Sequence, residues 1–131
     1  MGVAYYIVLE RDIEGLDTMM DGKSLAKAWD ELDTVAGSLG ITTLSEFISI
    51  DPEMAAEFLD EVDAESVKLP PLKQFSSDGG LKTVQALLAH LTANPESAPR
   101  AEGVLMDLRE CERILSEASR EGVKWHFAID I

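Results

Sequence analysis

Residues 123–131 read Val123-Lys124-Trp125-His126-Phe127-Ala128-Ile129-Asp130-Ile131. Large apolar side chains occupy every second position here, which is the period of a β-strand with one buried face. Near the other end of the chain, residues 3–9 are apolar or aromatic throughout and rich in strand formers, a pattern typical of a strand buried on both faces. Because a lone strand leaves its backbone N–H and C=O groups unpaired, we predict that these two segments lie in one small sheet.

Four amphipathic helices are predicted between the strands, because apolar residues recur there every three or four positions. The predicted helices span residues 25–39, 52–62, 78–94 and 100–121. Gly40 and Gly122 are expected to end the first and the last of them. Residues 10–22 are predicted to form a loop and residues 63–80 a surface crossing. Residues 44–50 fit a short strand and a helical turn equally well, and both alternatives stay open.

These elements predict a mainly helical α+β fold, in which about four amphipathic helices pack on a small sheet that includes both terminal strands. The chain has 131 residues, the length of one ordinary domain, so we expect a single domain over residues 1–131. Trp29, Trp125 and Cys111 occupy apolar helix or strand positions and are predicted to be core residues.

The charge of the chain is strongly negative and unevenly distributed. Lys and Arg number 11 against 25 Asp and Glu, for a net charge of −14. Residues 1–65 hold sixteen acids and three bases, for −13, and residues 66–131 hold nine acids and eight bases, for −1. A field of this sign repels phosphate backbones and anionic membranes, so nucleic acid and membrane are not expected as partners. A basic protein is favoured instead, although the carboxylates could serve solubility alone.

The densest acidic run is predicted to be the partner-binding surface. Its residues are Glu53, Glu57, Asp60, Glu61, Asp63 and Glu65. The run lacks the spacing of a calcium-binding loop, and most of it lies on a predicted helix whose side chains diverge, so no metal site is predicted. The first hypothesis is therefore a non-enzymatic binding or regulatory protein, comparable to small acidic inhibitors or immunity proteins.

Two other hypotheses are retained. The first is a small enzyme or ligand-binding domain whose pocket is formed by Tyr5, Tyr6, His126 and Asp130, because paired terminal strands could bring them together. The second is a homo-oligomeric building block, motivated by the two-sided apolarity of the first strand.

Other residues that could carry chemistry are assigned structural roles. His90 and His126 have no second histidine or cysteine at ligand spacing, so no zinc site is expected. Residues 76–83 superficially resemble a phosphate-binding loop, but Leu81 separates the glycines from Lys82, and helix capping is predicted there instead. No cofactor is predicted. A single cysteine, with no secretory signal or membrane span, makes the cytoplasm the expected location.

Overall fold

The computed structural model describes residues 3–49 and 72–130. Within them, four α-helices pack on a two-stranded antiparallel sheet formed by the N-terminal and C-terminal strands, and the predicted α+β class is confirmed. The elements are β1 (Ala4–Leu9), α1 (Lys23–Lys27), α2 (Trp29–Leu39), α3 (Ser77–Ala93), α4 (Ala101–Glu121) and β2 (Trp125–Asp130). Two 3₁₀ turns, Leu44–Phe47 and Pro95–Ser97, lie between helices. The predicted helix over residues 52–62 lies outside the described residues.

The strands pair in a register that runs from Ala4 opposite Asp130 to Leu9 opposite Trp125. Glu10 continues this register, because its N–H donates to the carbonyl of Lys124 at 2.9 Å. In an antiparallel ladder the backbone groups of alternate residues point to the same side. The even-numbered residues of β1 therefore direct their N–H and C=O groups toward β2, and the odd-numbered residues direct theirs away from it.

The outer edge of β2 is covered by two other segments. Phe75 and Trp125 exchange a pair of N–H to C=O bonds of 2.7 and 3.0 Å, and the N–H of Ser49 donates to the carbonyl of Phe127 at 3.1 Å. Ile48 forms a parallel bridge to Phe127 directly after the 3₁₀ turn. Residues 44–49 thus combine both open alternatives, a helical turn followed by a strand-like contact.

The helices cover one face of the sheet. Ile7, Trp125 and Phe127 point into the core from that face and are buried. The prediction that the first strand is buried on both faces is wrong, because only Ile7 of its six residues is buried and the others are half-buried. The physical reason is that a groove borders β1, so Tyr6 and Val8 are incompletely covered.

The predicted helix over residues 25–39 is divided at Ala28, whose backbone (φ −102°, ψ 10°) departs from helical geometry. Its apolar stripe is nevertheless buried from Leu25 to Ala36, although Leu39 is exposed, and the helix ends at Gly40 as predicted. Gly40 adopts a left-handed conformation (φ 71°), and its N–H donates to the carbonyls of Ala36 and Gly37.

The two longer helices begin and end close to the predicted positions. α4 buries Cys111 and ends at Gly122, which is also left-handed (φ 65°). α3 begins at Ser77, but no side chain caps its first turn, so the capping prediction for residues 76–83 is wrong. Asp78 instead accepts a hydrogen bond from the hydroxyl of Ser119 on α4. In the described part of the chain, no helix is both long and apolar enough to cross a membrane.

Candidate functional site

The candidate site is a groove of about 540 Å³ between β1 and the acidic loop, the name used here for residues 10–22. The strand contributes Ala4, Tyr6, Ile7, Val8 and Leu9, and the loop contributes Asp12, Ile13, Leu16, Thr18, Met19, Met20 and Asp21. The lining therefore combines apolar side chains with two carboxylates, and it contains no lysine or arginine. A volume of this size falls within the roughly 300–1,000 Å³ of ligand-binding clefts.

One wall of the groove is a strand edge. The N–H of Tyr5 points away from β2 and donates to the carbonyl of Gly22 at 3.3 Å. Ile7 and Leu9 point the same way, and within residues 3–49 and 72–130 no backbone group bonds to their N–H groups. The edge of β1 is thus bonded at Tyr5, whereas the N–H groups of Ile7 and Leu9 have no backbone partner among the described residues; both residues line the groove, Leu9 half-buried and Ile7 3% exposed.

Among the described residues, hydrogen bonds rather than ion pairs hold the acidic loop in place, and the carboxylate of Glu10 takes part by accepting the N–H of Lys124 at 3.1 Å. Arg11 donates to the carbonyl of Glu121 at 3.1 Å, and Arg113 donates to the carbonyl of Asp17 at 2.6 Å. Near the end of the loop, the thiol of Cys111 lies 3.9 Å from the sulfur of Met20. These contacts fix the path of the loop without neutralising its acids.

Three of the five carboxylates of the acidic loop are available to interact with other charges. Asp12, Glu14 and Asp21 are exposed, and none of them forms an ion pair with another described residue. Among the described residues the ion pairs are Arg113 with Glu110 and Arg120 with Glu117, both within α4. Three neighbouring uncompensated acids create a negative potential over the groove.

A buried carboxylate anchors the end of the loop. Asp107 on α4 is only 6% exposed and accepts a hydrogen bond of 3.0 Å from the N–H of Leu25, and the N–H groups of Gly22 and Ser24 lie near the same carboxylate. It therefore caps the first turn of α1, which has no cap of its own. Burial raises the pKa of Asp107 above its usual value, while these N–H groups act in the opposite direction.

Gly22 is required where the loop joins α1. Its φ of 72° lies in the left-handed region, and a Cβ there would overlap the carbonyl of Tyr5. The close approach lets the carbonyl of Gly22 accept a hydrogen bond from the N–H of Tyr5, while the N–H of Gly22 lies near the carboxylate of Asp107. One glycine thus connects the loop, β1 and α4.

The structure separates the two tyrosines of the alternative pocket. Tyr5 lies on the helix-covered face, where its ring stacks on Trp29 with centroids 3.7 Å apart and planes 7° apart. Burial, and then the charges of Asp33 and Asp30, raise the pKa of Tyr5. Tyr6 lies on the opposite face and lines the groove.

The other two residues of that pocket lie on the strand opposite. His126 pairs with Val8 and shares the face of Tyr6, and Asp130 pairs with Ala4 at the end of the ladder. The alternation of residues 123–131 predicts one buried face, so His126 on the other face is expected at the surface; this is wrong, because its side chain is 4% exposed and its Nδ1 lies 2.9 Å from Oε1 of Gln74. Gln74 precedes the residue that pairs with Trp125, so the crossing segment covers the ring.

The acidic surface predicted from the sequence lies outside the described residues, and the structure does not place it. Its residues are Glu53, Glu57, Asp60, Glu61, Asp63 and Glu65. The groove was missed because residues 10–22 read only as a loop. Its signal was present in the four apolar side chains Ile13, Leu16, Met19 and Met20, which are unusual in a loop that is otherwise acidic.

The described side chains offer little for catalysis or metal binding. No three of the histidine, cysteine and carboxylate side chains of residues 3–49 and 72–130 are grouped so as to hold a metal ion. Cys111 is fully buried, and burial raises the pKa of its thiol well above the usual range, so the reactive thiolate is suppressed. Its predicted role in the core is confirmed.

Comparison with known proteins gives no assignment, since no family model, curated protein or solved structure matches this chain.

Proposed function

We propose that this protein is a non-enzymatic binding or regulatory protein that engages a basic protein partner through its acidic N-terminal half. The observation that carries the proposal is the groove beside β1, whose lining pairs apolar side chains with Asp12 and Asp21 and holds no base. Carboxylates that no cation pairs with attract a basic surface, and apolar side chains supply the contact area that retains it.

The charge distribution supports the same proposal. The N-terminal half carries −13 of the net −14, and the acids at residues 53–65 account for part of that charge. Long-range attraction of this kind raises the association rate more than it lengthens the life of the complex. It is also screened by salt, because the Debye length falls from about 30 Å at 0.01 M to about 8 Å at 0.15 M.

The test begins with co-purification of the tagged protein from its native cell at low salt and again at high salt. The association rate of the retained partner is then measured against the wild type and three variants. Asp12→Asn with Asp21→Asn changes the groove, and Glu57→Gln with Glu61→Gln changes the acidic run. Glu96→Gln with Glu102→Gln is the matched control, since it removes two exposed charges from the C-terminal half.

We expect the groove variant to bind more slowly than the control and to show a weaker dependence on salt. The variant of the acidic run reports whether that surface contributes to the same attraction. The proposal is contradicted if the retained proteins are not basic, or if the association rate changes neither with salt nor with the loss of the N-terminal carboxylates.

A further inference from the structure

The two edges of the sheet differ in a way that suggests how a partner binds. Phe75 and Ser49 occupy the outer edge of β2. On the outer edge of β1 only Tyr5 is paired, and the N–H groups of Ile7 and Leu9 face the groove without a bond to any described backbone group. An edge with free N–H and C=O groups is a template for another strand.

We propose that an extended segment of the basic partner adds to β1 as a third strand and lies in the groove, an inference that rests on the proposed function. Its backbone exchanges hydrogen bonds with Ile7 and Leu9. The hydrogen bonds between β1 and β2 are undisturbed, because they involve the even-numbered residues of β1. Strand addition of this kind takes its affinity from main-chain bonds and its specificity from alternate side chains.

The lining of the groove defines the chemistry of that segment. Successive side chains of a strand point to opposite sides. Ile13, Leu16 and Met20 offer apolar contacts, whereas Asp12 and Asp21 offer negative charge. The complementary segment alternates apolar residues with lysine or arginine.

A second copy of this chain is a poor occupant of the same edge. Two β1 strands paired edge to edge would bring together two acidic loops, each with Asp12, Glu14 and Asp21 uncompensated. Each copy also carries a net charge of −14, so the copies repel one another. Charge therefore selects a basic segment over self-association.

The test uses an octapeptide in which lysine alternates with valine as the probe, and backbone amide NMR of the whole protein as the readout. The matched control peptide has the same sequence with alternate amides N-methylated, which keeps the charge but removes strand hydrogen bonds. A second control replaces every lysine by glutamate.

The expected result is binding of the lysine peptide alone, with the amides of Ile7 and Leu9 becoming protected from hydrogen exchange. Tyr6 and Val8 serve as internal controls, because their amides already belong to the ladder with β2 and are protected before and after. Leu9→Pro removes one N–H that faces the groove and no ladder bond, and it should weaken peptide binding about tenfold.

The outcomes separate the two proposals. If the N-methylated peptide binds as well as its parent, strand addition is wrong while attraction of a basic partner stands. If the glutamate peptide binds as well as the lysine peptide, the preference for a basic partner is wrong. Strand addition is also overturned if millimolar lysine peptide leaves Ile7 and Leu9 unprotected, or if the protein alone dimerises with these amides protected.

Discussion

Replacement of Gly80 by alanine should destabilise the protein, although alanine is the better helix former. Gly80 lies in the first turns of α3, packed against the indole of Trp125 on β2. A Cβ at this position would lie 2.6 Å from Cε2 and 2.7 Å from Nε1 of that ring, and closer still to Cζ2. These distances are well below van der Waals contact, so the ring or the helix must move.

The ring has little room to move. Trp125 is fully buried, and its Nε1–H donates to the carbonyl of Ser76 at 3.1 Å. It also stacks on Phe47 with a centroid distance of 5.0 Å and meets Phe127 edge-on at 4.7 Å. Any rotation of the indole would break these contacts and leave its buried N–H without a hydrogen-bond partner.

The size of the effect follows from two opposing contributions. Overpacking of a core costs typically 1–3 kcal/mol, and the upper end applies here because the clash is with a rigid ring, whereas alanine gains about 1 kcal/mol in helix propensity. We expect Gly80→Ala to lower the free energy of unfolding by about 2 kcal/mol, or roughly 7 °C in Tm for a chain of this length.

Gly37→Ala is the matched control. Gly37 lies in α2, and a Cβ there would have no atom within 4 Å, so the same substitution should stabilise the protein by about 0.5–1 kcal/mol. Urea unfolding of both variants provides the measurement. If Gly80→Ala is as stable as the wild type, the packing of α3 on Trp125 is not as tight as described and the reasoning fails.

Two further predictions concern pH. The folded pKa of Asp107 is raised above 3.8, so the folded state holds the proton more tightly and the stability contributed by this group falls as pH rises from 3.8 through the folded pKa. The wild type should therefore lose free energy of unfolding relative to Asp107→Asn across that window in urea titrations, and an unchanged difference would contradict the burial of the carboxylate. The pKa of Tyr5 is raised above 10.0, so stability should fall above about pH 10, and Tyr5→Phe should flatten this loss. Thermal unfolding of the wild type and the variant between neutral and strongly alkaline pH provides the measurement, and an equal loss in both would contradict the prediction.

The local elements of this fold could be predicted from the sequence because each has its own periodic signal. The alternation of apolar and polar residues around Trp125 and Phe127 predicts a strand from only a few residues. It also implies a partner strand, which the structure places at residues 4–9. The stop signals at Gly40 and Gly122 are equally local, since both depend on the conformational freedom of one residue.

The contacts that shape the candidate site could not be predicted, because they join residues distant in sequence. Asp107 caps a helix that begins 84 residues earlier, and no local motif marks it as a cap. His126 sits at a position that alternation assigns to the surface, and only the path of the segment at Gln74 explains its burial. The burial of the side chains on each face of β1 likewise depends on which face the helices cover.

The negative charge and the open strand edge have a common physical consequence. A free strand edge is a liability, because it can pair with other copies of the same chain, and natural proteins protect such edges with charge. Here the acidic loop borders the edge from Ile7 to Leu9, and its uncompensated carboxylates make like copies repel one another. The same field lowers the free energy of a basic segment at that edge. An arrangement that opposes self-association therefore favours the partner of opposite charge, so neutralising Asp12 and Asp21 should weaken both the proposed binding and the protection against self-pairing.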